Sequence, residues 1–310
     1  MVQALLTDFR AWGKVHTVTT LDLRLDNLIL PADEVVRVAP GQHEAVFSSL
    51  LAQSDAALLI APETDGVLTR LSAMVKGAGV PLLGSRPVAV TIAGDKGACH
   101  QLFRQAGLPT PLTHRVSFAD VPQVAREIGY PLVTKPVDGV GCEGVCLVTR
   151  EAELAAALAL LRCVTRRQEI LLQSFVAGTH ASVSLLVAEG QALPLSLNGQ
   201  EIETGCPFAY RGGVVPLRHP AVARAFAMAQ AAVGLVPGLQ GYVGVDLVLS
   251  EEEALLIEIN PRLTTSYIGL RRVLQLNLAQ AIWKACRQGI LPERVLLTGQ
   301  VSFSKDELLE

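Results

Sequence analysis

Hydrophobic and polar residues alternate with a period of two along residues 241–262, on both sides of a polar turn at 250–253. This alternation predicts two antiparallel strands, each with one apolar face and one polar face. We expect Asp246 on the polar face of the first strand, and Glu258 and Asn260 on the polar face of the second. The residues expected on the apolar faces are Val243, Val245, Leu247 and Leu249, and then Leu255, Ile257 and Ile259.

The polar face of this hairpin is a candidate metal site. A turn centred near Glu252 would bring Asp246 opposite Glu258, with Asn260 on the same face and Arg262 just beyond. Two carboxylates and an amide supply oxygen donors that suit Mg²⁺, which keeps waters and substrate phosphates as its other ligands. A hairpin with one face wetted by solvent has the same pattern, so both interpretations remain open.

The first 95 residues or so alternate short strand and helix patterns, which predicts a small α/β domain with a mostly parallel sheet. The chain opens on an amphipathic helix over residues 2–12, whereas such domains usually open on a strand. We therefore expect either that the sheet is one strand short or that an N-terminal segment is missing. The predicted strands are 15–21, 34–38, 56–61 and 80–83, and the predicted helices are 42–53, 64–78 and one opened by Ser85 and Pro87.

The organisation of the pattern changes from Gly94 onwards. Asp95 is expected to cap a helix over 95–106 that ends at Gly107. A long segment without periodicity runs over 199–217. The remaining predicted strands are 132–137, 145–148, 170–175, 182–188 and 192–197, and the remaining predicted helices are 151–161, 221–233 and 270–288.

Composition narrows the class of protein. Half of the 310 residues are hydrophobic, 18% are charged and the net charge is −3, as expected for a globular protein of two or three domains. The near-neutral charge gives no reason to expect a nucleic-acid partner. The apolar runs are short, so we expect no membrane span. The six cysteines contain no C-x-x-C pair, which predicts reduced thiols and a cytoplasmic location.

A glycine-rich turn carries the second candidate chemistry. The sequence KPVDGVGCEGV places Lys135 at the end of a strand and Gly139, Gly141 and Gly144 in the turn that follows. Glycines allow backbone N–H groups to approach a phosphate closely, and a neighbouring lysine supplies the counter-charge. A plain hairpin turn has the same sequence features. Lys96 opens a helix, where a lysine is usually a solvated surface residue.

The order of these motifs resembles the ATP-grasp superfamily. The motifs are Asp95 with Lys96, the run KPVDGVGCEG, the run QSFVAG from Gln173, the run GVD that ends at Asp246, and EINPR that ends at Arg262. The resemblance implies an α/β domain over 1–94, followed by an α+β ATP-grasp fold over 95–310. Within that fold it implies a smaller ATP-clamping subdomain over about 109–176, and a metal and substrate subdomain over 177–310.

The resemblance also implies a role for each matching residue, with ATP and Mg²⁺ (or Mn²⁺) bound between the subdomains. Ser174 departs from the pattern, because many relatives have an acidic residue after the hinge glutamine. The implied roles are phosphate binding by Lys96 and Lys135, a covering loop with Gly139, Gly141 and Gly144, an adenine hinge at Gln173, Phe175 and Val176, a nucleotide contact by His180, Mg²⁺ binding by Asp246, Glu258 and Asn260, and catalysis by Arg262 with Lys135.

A narrower resemblance concerns the substrates. The segments APETDGVLTRL, YRGGVVPL and INPRLTTSYIGLR resemble the group of ATP-grasp proteins related to tyramine–glutamate ligase, of methanofuran biosynthesis. This implies an ATP-dependent carboxylate–amine ligase that forms an amide through an acyl phosphate, with small-molecule substrates and a possible homodimer. Another amino-acid or peptide ligase, or a non-catalytic ATP-binding protein, remains an alternative. The residues expected to border the substrates are Tyr210, Arg211, Gly212, Gly213, Thr264, Thr265 and Ser266; for the loop that carries the first four, a variable surface loop is the alternative.

Overall fold

The computed structural model describes residues 1–25, 27–251 and 253–305, so the predicted turn centre at Glu252 lies outside the described residues. No helix in these ranges is long and apolar enough to cross a membrane. The helices are α1 (Val2–Trp12), α2 (His43–Leu51), α3 (Val67–Gly77), α4 (Pro87–Gly94), α5 (Lys96–Gln105), α6 (Val121–Ile128), α7 (Leu154–Val164), α8 (Val222–Gly234), α9 (Ser266–Val273) and α10 (Leu278–Gln288). The strands are β1 (Val18–Asp22), β2 (Glu34–Val38), β3 (Thr113–Ser117), β4 (Leu132–Pro136), β5 (Cys146–Val148), β6 (Glu169–Ser174), β7 (Thr179–Ala188), β8 (Gln191–Glu203), β9 (Ala209–Val215), β10 (Gly241–Leu249), β11 (Ala254–Asn260) and β12 (Val301–Ser304).

The N-terminal sheet is smaller than predicted. Strands β1 and β2 pair in parallel, but the predicted strands at 56–61 and 80–83 reduce to one parallel bridge between Ala57 and Leu82. A groove of about 2060 Å³ lies between β1 and residues 55–61. Within the described part of the chain, the backbone hydrogen bonds of this segment join Ala57 to Pro81 and Leu83. A short apolar run does not reveal whether it has partners on both edges, which is why these two predictions were wrong.

A four-stranded antiparallel sheet follows, in the order β3-β6-β4-β5. Apolar residues of α6 and α7 pack on one face of it, and Leu132, Ile170 and Leu161 are fully buried there. The glycine-rich turn connects β4 to β5 and so projects from the edge of this sheet. The sequence pattern predicted β4, β5 and β6 but not β3 or α6.

The larger sheet has six antiparallel strands in the order β11-β10-β7-β8-β9-β12. Helices α4, α5 and α8 bury apolar side chains on one face, and α1, α9 and α10 cover the other. Residues 199–217 were predicted as irregular, but 199–203 form the end of β8 and 209–215 form β9, so only the connection between them and the last two residues lie outside strands. The edge strand β12 explains this difference, because it pairs with β9 from 86 or more residues further along the chain (Val301 with Val215) and supplies a neighbour that local periodicity cannot reveal.

The predicted final helix is broken into α9 and α10. Asn277 caps α10 by accepting a hydrogen bond from the backbone N–H of Gln280 at 2.9 Å, and Leu274 has an extended conformation. The predicted cap at Ser85 was also wrong, since Arg86 is the N-cap of α4 and the Ser85 hydroxyl contacts the backbone of Gln240. The predicted cap by Asp95 is confirmed, with Ala98 as its donor at 2.9 Å.

The hairpin of β10 and β11 is confirmed, and Asp246 pairs directly with Glu258. Leu247, however, pairs with Leu256, so Ile257 is an extra residue in a β-bulge. The bulge reverses the alternation on one side, and Leu256 rather than Leu255 or Ile257 enters the core. The predicted apolar face of β11 was therefore wrong at these two positions, and Ile257 lies beside Glu258 in a cavity.

Two of the six cysteines form a disulfide bond. Cys146 on β5 is bonded to Cys206, between β8 and β9, and thereby links the two larger sheets. Two backbone hydrogen bonds of 2.7 Å flank it, from Leu147 to Gly205 and from Phe208 to Val145. The prediction of reduced thiols was wrong for this pair, because 60 residues separate its members and no local motif marks them.

Candidate active site

The β10–β11 hairpin brings three oxygen-bearing side chains together. The Asn260 Nδ2 donates to Asp246 Oδ2 at 3.2 Å, and the Gln200 Nε2 donates to Asp246 Oδ1 at the same distance. Glu258 lies opposite Asp246 across the strand pair. The structure therefore assembles the predicted group of two carboxylates and an amide, and adds Gln200 from β8, which the sequence pattern did not identify.

The electrostatics of this group favour a bound cation. The Lys96 ammonium lies 2.8 Å from Glu258 Oε2, with both side chains less than 20% exposed. Burial raises the pKa of Glu258, but Lys96 and Lys135 outweigh it and hold that pKa below its usual range. Burial and the Glu258 charge together raise the pKa of Asp246. A divalent cation would offset the repulsion within this carboxylate pair, so the donor set fits Mg²⁺.

Lys135 lies in a polar network inside the four-stranded sheet. Its Nζ donates to Gln173 Oε1 at 3.1 Å, and the amide nitrogen of Gln173 lies 2.7 Å from both His100 Nε2 and Thr113 Oγ1. Burial, followed by repulsion from Lys96, lowers the pKa of Lys135 to about 8. Burial and the charge of Lys135 lower the pKa of His100 to about 2, so this imidazole is neutral. Gln173 thus orients Lys135, and His100 is a supporting residue that the sequence did not reveal.

The first of two adjoining cavities lies between the two larger sheets and has a volume of about 840 Å³. Lys96, Lys135 and the carboxylates of Asp246 and Glu258 are its charged lining residues, and Ser174 also lines it. Of the predicted glycines, Gly139 and Gly141 line this cavity, whereas Gly144 packs against Val164 of α7. The predicted nucleotide contacts that line the cavity are Lys96, Lys135, Gly139, Gly141, Gln173, Phe175, Val176 and His180.

The second cavity, of about 1060 Å³, lies between the six-stranded sheet and the N-terminal region. Both cavities are lined by Asp246 and Glu258, so they meet at the carboxylate pair. The Thr265 hydroxyl donates to Tyr210 Oη at 3.1 Å on its wall. The predicted substrate, catalytic and metal-binding residues that line this second cavity are Tyr210, Asp246, Glu258, Asn260, Arg262, Thr264, Thr265 and Ser266.

Arg262 is held by a residue that the sequence analysis did not select. Its Nε donates to both carboxylate oxygens of Glu63 at 2.9 Å, and its Nη1 donates to the Leu263 carbonyl at 3.0 Å. Glu63 belongs to the segment APETDGVLTRL, whose resemblance to the ligase group was the available signal. Because 199 residues separate the two partners, no pattern along the chain predicts their contact.

Three predicted substrate residues lie outside the cavities. Arg211 is mostly exposed and forms an ion pair of 2.7 Å with Glu203. Gly212 and Gly213 lie where β9 pairs with β12, and a Cβ on Gly212 would come within 2.2 Å of the Phe303 carbonyl oxygen. These two glycines therefore allow β9 to pack closely against β12. Of the predicted YRGG run, only Tyr210 lines the second cavity.

Two family models match the chain. The ATP-grasp domain matches residues 93–266, and the pre ATP-grasp 3 domain matches residues 15–90. The chain belongs to the ATP-grasp family. It is 31% identical over 278 residues to a tyramine–L-glutamate ligase of Methanocaldococcus jannaschii, an alignment that covers 87% of this chain and 77% of that protein. The predicted superfamily, fold class and narrower ligase resemblance are thereby confirmed.

Solved ATP-grasp structures share the fold. The chain is similar to an L-amino acid ligase of Bacillus licheniformis, with a TM-score of 0.79 and 18% identity over 97% of this chain and 77% of that one. It is also similar to a biotin carboxylase domain of Hydrogenobacter thermophilus in complex with MgADP (TM-score 0.81, 16% identity), over 96% of this chain and 71% of that one. The named ligase relatives confirm the predicted enzyme class, an ATP-dependent carbon–nitrogen ligase.

Proposed function

We propose that this ATP-grasp protein joins a carboxylate to an amine at the expense of ATP, through an acyl phosphate, in the cytoplasm. The observation that supports this most strongly is the meeting of two cavities at Asp246 and Glu258. One ligand in each cavity would place its reacting end at the same charged junction. Positioning and charge stabilisation are the main requirements of phosphoryl transfer, so no side-chain nucleophile is needed.

The first cavity would hold ATP. Lys96 and Lys135 supply positive charge beside the carboxylates, where the phosphates would lie. The backbone at Gly139 and Gly141 is free of side chains and can approach those phosphates closely. The lining residues Phe175 and Val176 are apolar and suited to contact a planar base. The volume of the whole cavity, about 840 Å³, is that of an ordinary small-molecule site.

Asp246, Glu258 and Asn260 would hold Mg²⁺, with Mn²⁺ as a permitted substitute because both ions prefer oxygen donors. When bound, the ion would supply neutralisation of phosphate charge. Asn260 has to turn its amide oxygen toward the ion, since its nitrogen now donates to Asp246. Lys96 fixes the position of Glu258 through their 2.8 Å contact.

Arg262 would bind the carboxylate substrate and the phosphoryl group that it receives. Its Nε is engaged by Glu63 and its Nη1 by the Leu263 carbonyl, so Nη2 would be the nitrogen that binds a ligand in the cavity that Arg262 lines. A planar guanidinium fixed in this way is pre-organised for an oxyanion. Among the described residues that line the second cavity, Arg262 is the only arginine or lysine.

The second cavity favours an amine that carries no carboxylate of its own. Arg262 is the only arginine or lysine side chain among its described lining residues, and the carboxylate substrate would occupy it. The remaining wall includes Ile60, Pro62, Ile202 and the aromatic ring of Tyr210. These residues suit an amine with an apolar or aromatic body, such as tyramine, with L-glutamate as the carboxylate substrate. The similarity to a named tyramine–L-glutamate ligase supports this pair, and with it a place in methanofuran-type synthesis.

A screen of ADP release tests the proposal. Tyramine, other arylalkyl amines and amino acids would each be paired with L-glutamate and other carboxylates, and each product identified by mass spectrometry. We expect the highest kcat/KM for tyramine with glutamate, and no release above background in Lys135→Ala. Amide formation with amino-acid acceptors alone would instead indicate a peptide ligase. ADP release that no carboxylate stimulates would contradict ligase activity.

A further inference from the structure

A short turn of the N-terminal region contacts both the second cavity and the base of the glycine-rich turn. Residues 62–66 run from the end of the apolar segment 56–61 into α3. Pro62 lines the second cavity, and the next residue, Glu63, binds Arg262. The two residues after that, Thr64 and Asp65, bind the base of the glycine-rich turn. Four consecutive residues therefore join the candidate carboxylate site to the loop beside the candidate nucleotide site.

The contact with Arg262 is tightly constrained. The Glu63 side chain is only 7% exposed, and both of its oxygens accept from Arg262 Nε. Gly94, at the end of α4, packs so closely that an added Cβ would lie 3.3 Å from the Glu63 Cβ and Cγ. Glu63 thus has little room to move independently of its surroundings. A displacement of the guanidinium would be passed to the backbone of the turn.

The contact with the glycine-rich turn is made through Asp138, the residue before Gly139. The Thr64 hydroxyl donates to the Asp138 carbonyl, and the Asp65 N–H donates to Asp138 Oδ2, each at 3.2 Å. Arg167 also holds this carboxylate at 3.0 Å. Asp138 is 4% exposed, so the base of the loop is anchored while its tip at Gly141 lines both cavities.

We propose that residues 62–66 are a positioning element that couples Arg262 to the glycine-rich loop. A carboxylate bound by Arg262 would shift its pairing with Glu63, and Thr64 and Asp65 would transmit that shift to Asp138. A carboxylate in the second cavity then favours the conformation of the glycine-rich loop that covers the first cavity. Asp65 and Gly66 have φ values of 54° and 68°, a left-handed pair that makes the connection from Glu63 to α3 short. The identity of the ligands rests on the proposed function, whereas the coupling itself does not.

Hydrogen exchange in the ligand-free protein tests the coupling directly. Glu63→Gln keeps the shape of the side chain but removes the charge that holds Arg262, and leaves the Asp138 contacts chemically intact. We expect amides 138–145 to exchange about 5-fold faster or more. Glu44→Gln is the matched control, because Glu44 also accepts from an arginine Nε in the N-terminal region but contacts neither cavity. Unchanged exchange in folded Glu63→Gln would overturn the proposal. If that variant does not fold, Glu63→Asp takes its place in the same comparison.

A binding measurement tests the direction of coupling. In the wild type, saturating L-glutamate should tighten binding of a non-hydrolysable ATP analogue with Mg²⁺ by about 5-fold or more. In Glu63→Gln that factor should fall toward one, while binding of the analogue alone changes less. An undiminished factor in the variant would also overturn the proposal. If wild-type protein does not bind glutamate, the proposed substrate is wrong, and the ligand-free exchange still decides the coupling.

Discussion

Lys135 is buried at the end of β4, with only 4% of its surface exposed. Its counter-charges lie across the cavity, and its direct partner is the neutral amide of Gln173. A lysine in this environment is poised for an anion, because phosphate would supply the compensation that burial removes. Its pKa of about 8 means that the folded protein binds fewer protons than the unfolded chain between about pH 8 and 10.5. The contribution of this lysine to stability therefore rises with pH across that window.

Nucleotide binding should accordingly take up protons. At about pH 8.5, Lys135 is mostly neutral in the free protein, and bound phosphates would raise its pKa and recharge it. Calorimetry of MgATP binding in buffers of different ionisation enthalpy should show uptake of a large fraction of one proton. Lys135→Met should lose that uptake, whereas Lys76→Met, on the exposed face of α3, should retain it. Equal uptake in the Lys135 variant and the wild type would contradict this assignment.

Glu258 is the residue on which the metal assignment depends. Glu258→Gln keeps the volume of the side chain but removes its negative charge. The cation site and Lys96 would both lose that charge. We expect kcat to fall by about 100- to 1,000-fold, the usual loss for one preorganised charge contact. Glu253→Gln, at an exposed position in the same hairpin, is the control, and its kcat should equal that of the wild type. Steady-state rates across a Mg²⁺ titration measure both, and wild-type rates for Glu258→Gln would remove it from the site.

The glycine-rich turn between β4 and β5 contains two left-handed glycines in different surroundings. Gly141 has a φ of 62° and no atom within 4 Å of an added Cβ, whereas Gly144 has a φ of 71° and Val164 at 2.4 Å. Alanine at either position pays the backbone cost of about 1–2 kcal/mol. Gly144→Ala also forces α7 to shift, which we expect to cost about 1–3 kcal/mol more.

Urea unfolding of the two alanine variants measures this difference. Gly144→Ala should be the less stable variant, whereas Gly141→Ala should lose only the backbone contribution to stability and should also lose nucleotide affinity, because Gly141 lines the cavity. Equal free energies of unfolding would show that α7 adjusts without cost and that the two glycines have the same role.

Among the strands and helices, the sequence predicted the hairpin that carries the carboxylates, because hydrophobic and polar residues alternate along a strand with one buried face. It failed at Ile257, since a bulge changes the face of a residue without changing composition. It also failed along 199–217, where β12 supplies the neighbour of β9. Strand order and bulges are properties of pairing, and a single strand does not encode its partner.

Over the whole molecule, the disulfide between Cys146 and Cys206 joins the two larger sheets on either side of the first cavity. Closing a loop of this length removes conformational entropy from the unfolded chain worth about 4 kcal/mol. Cys146→Ser with Cys206→Ser should therefore lower the free energy of unfolding by about 2–4 kcal/mol. The wild type should titrate four thiols after denaturation, because Cys99, Cys142, Cys163 and Cys286 are free. Six titratable thiols in unreduced wild-type protein would contradict the bond.

The order of motifs along the chain predicted the family and most residues of the candidate site. Lys96, an ordinary surface lysine by its local sequence, is instead 2.8 Å from Glu258, and only the succession of motifs suggested this. Contacts such as that of Glu63 with Arg262 could not be predicted, because both partners are polar and lie in separate parts of the fold. The second cavity likewise exists only through the meeting of those parts.

We propose that the two cavities meet where a phosphoryl group passes from ATP to a carboxylate. Isotope transfer tests it most directly. With L-glutamate labelled with ¹⁸O in both carboxylates, an acyl phosphate that is attacked by the amine must release phosphate carrying one labelled oxygen per amide formed. We expect that ratio by mass spectrometry of the phosphate released during tyramine ligation. Unlabelled phosphate alongside amide product would show that the carboxylate is never phosphorylated, and would contradict the assignment of the shared junction.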